Sequence, residues 1–267
     1  MKLRVDLYPH RPVPREVSGS SPTEAGRGGA YESADVVVLI DVLRSCTVAP
    51  ILFDNGLADL YFCASIAGAK KFASDRGALL LGERHGLPPE GFNYGNSPAE
   101  LRSLDAHGRQ AVLVSENTPQ VLPLLAEARH VLLGSLYNAD AVFGCAYALA
   151  DEQITLVCSG FAGTESLDDA LAAGYMAARL KQFYPDIRLE GAALMAISLL
   201  KAFPEPLEAL WHSHAGYYLR NAQVQEDIAV ASLISQSDKV PRLQGVTGTD
   251  TASLYHFRAD TNGPNHG

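Results

Sequence analysis

The chain has 267 residues, 47% of them hydrophobic and 19% charged, so it can bury a sizeable core and is not a disordered chain. Its formal net charge of −9, with no basic stripe to offset it, argues against nucleic-acid binding but permits a local anion site. The N-terminus lacks the apolar run of a signal peptide and no window approaches the length of a membrane span, so we expect a cytoplasmic protein without membrane contacts.

The first 33 residues read as a strand, LRVDLY, followed by a flexible segment rich in Pro, Gly and Ser. From Ala34 onward, apolar runs rich in β-branched residues alternate with helical patterns. The runs are DVVVLIDVL, ALLLGE, AVLVSE, HVLLGS and ITLVCSG. This alternation predicts an α/β fold with three α/β/α layers and a largely parallel sheet, in a domain of residues 34–245. We expect residues 246–267 to form a C-terminal tail.

Three segments carry helix-start signals. Their predicted N-cap residues are Ser97 in SPAEL, Thr118 in TPQVL and Ser166 in SLDDALAAG. Ser97 and Glu100, three residues apart, form a capping box, which explains Glu100 without a catalytic role. Asp168 and Asp169 follow Ser166 and are explained as acids that complement the positive end of a helix dipole.

Polar residues follow each predicted strand, at the edge of a parallel sheet where ligands bind. They are Asp41 and Arg44, then Glu83, Arg84 and His85, then Ser115, Glu116 and Asn117, then Ser135 and Asn138, and finally residues 159–164. Two acids and two arginines on one edge favour a divalent metal ion together with an anionic ligand. Mg²⁺ takes a few carboxylates and keeps waters or phosphate oxygens as its other ligands, and arginine binds phosphate with a planar fork of donors.

The cysteines and two of the histidines carry weaker signals. No cysteine pair has C-x-x-C spacing, so we interpret the four cysteines as reduced structural thiols. His212 and His214 are two residues apart, which does not place them on one face of a helix, so we do not predict that they bind a metal. The glycine-containing turn CSGFAGTESLDD is neither a Walker A loop nor a G-x-G-x-x-G motif, so nucleotide binding is not indicated.

Five segments match the motifs of one known family in the same order. They are VVLIDVLRSCTVAPILFDNGLADL, LLLGERHGLPPEGFNYGNSPAEL, VLLGSLYNADAV, ITLVCSGFAGTESLDDALAAG and DIAVASLISQSDKVPRL, and they span roughly residues 35–243. In these segments, above all in the pattern GER-G…GF-x-x-GNSP-x-E, the chain resembles the 2-phosphosulfolactate phosphatases, the ComB family. The resemblance implies a three-layer α/β/α fold. It also implies Mg²⁺-dependent hydrolysis of 2-phospho-3-sulfolactate to sulfolactate and phosphate, a step of coenzyme M biosynthesis in methanogens.

The resemblance also marks individual positions. Those that fall on family motifs are Asp41, Arg44, Glu83, Arg84, Asn96, Ser97, Asn138, Gly160 and Asp169. One turn departs from the family pattern, which usually reads close to T-T-N-G-T after the third strand. Here the chain reads SENTPQ, so that Glu116 and Pro119 make the turn more acidic and stiffer. This departure bears on substrate choice and on activity.

We therefore predict a Mg²⁺-dependent phosphatase of a small anionic phosphate ester, with 2-phosphosulfolactate as the reference substrate. The predicted catalytic residues are Asp41, Arg44, Glu83 and Arg84, and Asp41 and Glu83 are also the predicted metal ligands. The predicted substrate-binding residues are Asn96, Ser97, Asn117, Ser135, Asn138 and Gly160. Asp41 either attacks phosphorus directly or orients a water molecule.

Two alternatives stay open at this point. One is a phosphatase of another 2-hydroxy-acid phosphate, such as phospholactate or phosphoglycolate. The other is a non-catalytic protein of the same scaffold that binds a metabolite. A homodimer would fit a bacterial-type enzyme of this size.

Overall fold

The computed structural model describes residues 1–9, 31, 34–248 and 252–260. The strands are β1 Lys2–Asp6, β2 Val36–Ile40, β3 Asp59–Cys63, β4 Leu79–Gly82, β5 Gln110–Val114, β6 His130–Gly134, β7 Gln153–Cys158, β8 Arg188–Gly191, β9 Val240–Thr247 and β10 Leu254–Asp260. The helices are α1 Ser45–Asp54, α2 Ile66–Arg76, α3 Pro98–Leu101, α4 Thr118–Leu125, α5 Ala139–Leu149, α6 Leu167–Phe183, α7 Ala192–Ala202, α8 Pro206–His212, α9 His214–Asn221 and α10 Glu226–Ala231. A 3-10 turn, Leu136–Asn138, precedes α5. Each strand predicted from an apolar run is present.

The strands form one sheet in the order β4-β5-β3-β10-β9-β6-β2-β7-β1-β8. Strands β4, β5 and β3 are parallel to one another and make the first block. Strands β6, β2, β7, β1 and β8 are likewise parallel and make the second block. Between the blocks, β10 pairs antiparallel with β3 and with β9, and β9 pairs antiparallel with β6. The prediction of a largely parallel sheet is confirmed.

Strand β2 shows why helices cover both faces of the sheet. Successive side chains of a strand point to opposite faces. Val36 and Val38 pack into the core that contains α5, α6 and α7, whereas Val37 and Leu39 pack into the core that contains α1, α3 and α4. A strand buried on both faces reads as a continuous apolar run, which is how β2 appears in the sequence. The three-layer α/β/α architecture is therefore confirmed.

The sheet continues beyond residue 245, where we predicted that a tail begins. Strand β9 runs to Thr247, and β10 lies in the middle of the sheet. In β10 the side chains of Tyr255 and Phe257 are buried, while His256 and Arg258 on the other face contact Asp59 of β3. This alternation is the physical reason that the segment is a strand. The predicted flexible segment falls on residues 10–30 and 32–33, which lie outside the described residues, as do 249–251 and 261–267.

The antiparallel junction changes how the site is assembled. Because three antiparallel pairings separate β3 from β6, the two parallel blocks run in opposite directions. A flat sheet of this kind would place their carboxyl ends on opposite edges, not on the single edge that we expected. Yet Ser45 Oγ, after β2, lies 3.0 Å from Ser115 Oγ, after β5. The sheet is therefore not flat, and the loops at the carboxyl ends of β2 and β5 contact each other.

None of the helices in the described part of the chain combines the length and the apolar character needed to span a bilayer.

Candidate active site

A small cavity of about 30 Å³ lies where the loops after β2, β4 and β5 meet α9. Its polar lining includes Asp41, Arg44, Ser45, Glu83, Asn96 and Glu116. A volume of this size holds about two water molecules, which is the scale of one small anionic group. This inner cavity adjoins an outer cavity of about 330 Å³, and both are lined by Glu116, Asn117 and Phe161.

Arg44 is the only Lys, Arg or His among the described residues that line the inner cavity. It immediately precedes α1 and is 6% exposed. Its Nη1 donates to Asp227 Oδ2 at 2.8 Å and its Nη2 donates to the carbonyl of Gly86 at 3.2 Å. A guanidinium has more N–H donors than these two contacts use, so donors remain for an anion. The first turn of α1 holds no acidic residue, and the positive end of its dipole therefore also favours an anion.

Three carboxylates are buried together at the end of β2 and the start of α6. Asp41, Asp168 and Asp169 are each 2% exposed. Burial, and then the nearby charge of Asp168, raises the pKa of Asp41 to about 6, against hydrogen bonds from Thr118 and Ser45. Burial also raises the pKa of Asp168, and burial with the charges of Asp168 and Asp41 raises the pKa of Asp169 well above its ordinary value. Such a group holds its full negative charge only when a cation or strong donors lie close by.

Asp169 joins the loops that follow β2 and β7. Its Oδ1 accepts a hydrogen bond from the backbone N–H of Val42 at 2.8 Å, and its Oδ2 accepts from the N–H of Gly160 at 3.0 Å. Gly160 has a φ of +75°, and a Cβ at this position would lie 2.2 Å from the carbonyl oxygen of Thr164. Only glycine fits this turn. Asp169 therefore does more than complement the helix dipole, because it links two loops of the site.

Glu83 holds the loops after β4 and β5 together. Its Oε2 accepts from the N–H of Gly86 at 2.9 Å, and its Oε1 accepts from the N–H of Glu116 at 3.1 Å. Gly82, just before it, has a φ of +141°, and a Cβ there would lie 2.1 Å from the carbonyl oxygen of Val114. The sharp exit from β4 thus depends on glycine and directs Glu83 to the cavity. Each carboxylate oxygen retains a further lone pair for a ligand.

The sequence of the chain matches those of known proteins. Residues 23–245 match the family model described as 2-phosphosulpholactate phosphatase. The chain belongs to the 2-phosphosulpholactate phosphatase family. Two relatives named "Probable 2-phosphosulfolactate phosphatase" are each 35% identical to it. The relative from Thermus thermophilus aligns over 249 residues, 93% of this chain and 97% of that protein. The one from Deinococcus radiodurans aligns over 264 residues, 97% of this chain and all of that protein. The resemblance inferred from the motifs is confirmed.

Five of the predicted site residues of this family member line the inner cavity: Asp41, Arg44, Glu83, Asn96 and Asn117. Asn96 is 3% exposed and its Nδ2 donates to Ser45 Oγ at 3.3 Å. Its Oδ1 is buried and has no hydrogen-bond partner among the described residues. A buried acceptor without a donor costs about 1–3 kcal/mol, so this atom marks a place for a donor or a cation.

Ser97 does not line the cavity but contacts a residue that binds Arg44. It caps α3 as predicted, because its Oγ accepts from the N–H of Glu100 at 3.1 Å. The same hydroxyl donates to Asp227, the partner of Arg44. Ser97 therefore reaches the site through a second residue and does not line either cavity.

Four predicted site residues lie elsewhere, which corrects the prediction for their side chains. Arg84 donates its Nη2 to the carbonyl of Ala64 at 2.6 Å and lines neither cavity. Ser135 caps the 3-10 turn, and Asn138 donates to the carbonyl of Lys239 at 3.0 Å; both are fully buried. The N–H of Gly160 is used by Asp169, as described above. These four residues line neither cavity, and these contacts of their polar groups are with the protein itself.

Three functional positions escaped sequence reasoning. Thr118 was predicted as an N-cap, but α4 begins at Thr118 itself and its Oγ1 donates to Asp41 at 2.6 Å. Tyr218 of α9 lines the cavity, and Asp227 of α10 binds Arg44. A hydroxyl before a proline looks the same in either role, and an acid in the first turn of α10 looks like a dipole complement. The one available signal is that Asp227 begins the family-matched segment DIAVASLISQSDKVPRL.

The cysteines are buried, as expected of structural thiols, whereas His212 and His214 are exposed. All four cysteines are free. Burial, with the charges of Asp169 and Asp168, raises the pKa of Cys158 well above its ordinary value, so this thiol is not an activated nucleophile. Within the described residues, no three His, Cys, Asp or Glu side chains form a group that could hold a metal ion by themselves.

Proposed function

We propose that this chain is a phosphatase that hydrolyses the phosphate ester of a small 2-hydroxy acid, with 2-phosphosulfolactate as the reference substrate. The observation that carries the proposal is the inner cavity, where Arg44 and the start of α1 face the carboxylates of Asp41 and Glu83. Membership of the 2-phosphosulpholactate phosphatase family and the names of its relatives support the same activity.

In this proposal the phosphoryl group occupies the inner cavity. The remaining donors of Arg44 and the start of α1 bind its oxygens and stabilise the charge that develops on them in the transition state. A water oxygen bonds to phosphorus, the bond between phosphorus and the 2-oxygen of the hydroxy acid breaks, and that oxygen takes up a proton. Asp41, with its pKa of about 6, has one of two roles, and both need its ionised form. Either it accepts a proton from the attacking water, or it bonds to phosphorus first as the 2-oxygen leaves. In the second case water then attacks the phosphorus of the aspartyl phosphate, which releases phosphate and restores the carboxylate.

The charge of the lining supports a requirement for a divalent cation. Asp41, Glu83 and Glu116 line the inner cavity, and Arg44, its one described cation, is already paired with Asp227. An ester that carries several negative charges is repelled by such a lining. Mg²⁺ fits the donors present, since Asp41, Glu83 and the unpartnered Oδ1 of Asn96 leave positions for water and for substrate oxygens. When bound, Mg²⁺ supplies Lewis-acid polarisation of the phosphoryl oxygens.

Phosphate release from a panel of 2-phospho-hydroxy acids, with Mg²⁺ and with a chelator, tests this function. We expect release in Mg²⁺ that the chelator abolishes. Asp41→Asn is expected to lower kcat by about 10²–10⁴-fold, the usual effect of losing a positioned base, while circular dichroism shows an intact fold. Asp54→Asn is the matched control, because Asp54 ends α1 and accepts a hydrogen bond from Ser237.

The same panel separates the alternatives. Wild-type turnover by Asp41→Asn contradicts the role of Asp41. Thermal stabilisation by panel members without phosphate release identifies a non-catalytic binding protein instead.

The outer cavity favours a second candidate, a phosphatase of a 2-hydroxy-acid phosphate whose third carbon carries an uncharged group. Among the described residues its lining contains Glu116 but no Lys, Arg or His. A sulfonate seeks cationic donors, whereas a methyl group or a hydroxyl suits Gln120, Leu124 and Ser159. A kcat/KM for phospholactate above that for phosphosulfolactate selects this candidate. Glu116→Gln is then expected to raise the relative rate on the sulfonate, because it removes a like charge.

A further inference from the structure

Asp227 is a buried acid that connects three parts of the chain around the inner cavity. It is 1% exposed, and its Oδ2 accepts from Arg44 Nη1 at 2.8 Å. Its Oδ1 accepts from the hydroxyl of Ser97 and, at 3.2 Å, from the N–H of Ala99. One carboxylate of α10 thus holds the residue before α1 and the first turn of α3.

A favourable interaction with the helix dipole does not explain why Asp227 is buried. Glu226 and Asp227 both lie in the first turn of α10 and would both serve the dipole, but Glu226 is exposed while Asp227 is buried. Burying a carboxylate and a guanidinium together brings little net stability, because the desolvation of both charges offsets their attraction. A buried ion pair beside a cavity is therefore better explained by what it does to the orientation of the arginine.

We infer that Asp227 is a positioning residue, which fixes the guanidinium of Arg44 in the orientation that the phosphoryl group meets in the transition state; this inference rests on the proposed function. Asp227 holds Nη1, and the carbonyl of Gly86 holds Nη2 from a second direction. The plane of the guanidinium is thereby set, and its other donors face the cavity that Arg44 lines.

Loss of Asp227 is expected to affect the bound substrate and the transition state differently. Loss of Asp227 frees the full charge of Arg44, which still attracts an anion in any orientation. The transition state depends on aligned donors, so it loses more than the bound substrate does. The inference therefore predicts a lower kcat without a higher KM.

The first experiment measures kcat and KM for Asp227→Asn on the best substrate of the panel. We expect kcat to fall about tenfold, the effect of misaligning one charge-assisted contact, and KM to rise by no more than about twofold. Asp59→Asn is the control, because it breaks another contact between a buried acid and an arginine, in this case the exposed Arg258, away from both cavities. It is expected to lower stability but to keep kcat. An unchanged kcat in Asp227→Asn, or an equal loss in the control, overturns the inference.

A double-mutant cycle with Arg44→Lys asks whether Asp227 acts through Arg44. Lysine lacks the planar fork, so Asp227→Asn is expected to change kcat by less than about twofold in the Arg44→Lys background. The same tenfold loss in both backgrounds would show that Asp227 acts by another route.

Ser97→Ala keeps the ion pair and removes one bond to Asp227, so it supplies a milder variant if Asp227→Asn does not fold. Its kcat is expected to fall by a smaller factor, again without a higher KM.

A readout independent of activity separates this inference from the proposed function. In ¹⁵N-labelled protein, a guanidinium held from two directions gives separate Nη signals, because its rotation is hindered. We expect such signals for Arg44, assigned by their loss in Arg44→Lys, and their collapse in Asp227→Asn. If the wild type hydrolyses no panel member but shows this pattern, the proposed function fails while the positioning of Arg44 stands. Freely rotating Nη groups in the wild type contradict the positioning itself.

Discussion

Single hydrogen bonds at the cavity control the charge of a buried acid. Burial raises the pKa of Asp41 to about 6, and the hydroxyl of Thr118 is foremost among the contacts that lower it. A hydrogen bond to a charged group is worth about 1.5–3 kcal/mol, and each pKa unit corresponds to about 1.4 kcal/mol. The hydrogen bond from Thr118 therefore favours the ionised form of Asp41.

Thr118→Val tests this control, because it conserves shape and removes the donor. The pKa of Asp41 then rises, so a smaller fraction is ionised at a given pH. We expect the acid limb of the kcat/KM profile, measured at one fixed and subsaturating Mg²⁺ concentration at which protons compete with the ion for Asp41, to move to higher pH by about one unit. Thr155→Val, a buried change in β7 that leaves Asp41 untouched, is the control. An acid limb that does not move would show that Asp41 does not set the ionisation that activity requires.

Sequence reasoning finds the polar residues that follow strands, but a strand end alone does not decide which of them line the cavity, since Arg84 and Ser135 also follow strands and lie elsewhere. Asp41, Arg44 and Glu83 follow apolar runs directly, and the structure places all three in the cavity lining. Asp169 and Asp227 lie in the first turns of helices, where exposed acids are ordinary. Only the tertiary structure shows that these two are buried, and burial converts a helix-start acid into a partner for Arg44 or for backbone N–H groups.

At the scale of elements, the join between β3 and β10 depends on Asp59. It is 4% exposed and accepts from Arg258 Nε at 2.6 Å and from Gln110 Nε2 at 2.9 Å, and His256 Nε2 lies 2.7 Å away. Burial alone would raise the pKa of Asp59, but the hydrogen bonds from Arg258, Gln110 and His256 outweigh it and lower the pKa to about 2. The folded state therefore favours the ionised form.

Asp59→Asn is expected to reduce the free energy of unfolding at pH 7 by about 1–2 kcal/mol. The lowered pKa corresponds to slightly more than this, and the exposure of Arg258 reduces it. The stabilisation is complete above the ordinary pKa near 4 and is lost as the pH falls towards 2. Urea denaturation of both proteins at pH 7, 5 and 3 should give a difference that persists at pH 5 and shrinks at pH 3.

The exposed pair of Lys71 and Asp75 supplies the control for this prediction. Asp75→Asn is expected to change stability by less than about 0.5 kcal/mol, since an exposed i,i+4 pair contributes little. A stability difference for Asp59→Asn that is as large at pH 3 as at pH 7 would show that packing, not the charge of Asp59, is responsible.

At the scale of the whole molecule, two parallel blocks of opposite direction share one sheet. Each block could be predicted, because strands buried on both faces produce continuous apolar runs and helices follow them. The junction was missed, because β9 and β10 are antiparallel strands joined without a helix and do not follow the strand–helix alternation from which the other strands were predicted. The contact between the loops after β2 and β5 was missed for the same reason, since these loops belong to different blocks.

Removing β10 tests whether the junction holds the blocks together. Deleting residues 252–267 leaves β3 and β9 with unpaired edges and removes Phe257, which is fully buried, and Tyr255. Losing a buried aromatic side chain costs about 3–5 kcal/mol, and a domain is stable by only about 5–15 kcal/mol in total. We expect this truncated chain to lose its cooperative thermal transition. A chain that ends at Asp260 retains every described strand and should keep the transition.

Circular dichroism melts and size-exclusion chromatography of the two truncated chains decide between two accounts of this end of the molecule. If residues 246–267 were a tail, as the sequence suggested, both chains would melt alike, because a terminal segment without sheet partners adds little stability. If β10 joins the blocks, the shorter chain exposes sheet edges that favour association, so it should elute as aggregates. The site is expected to be lost with it, since Asp41 and Glu83 line one cavity but belong to opposite blocks, which β9 and β10 connect.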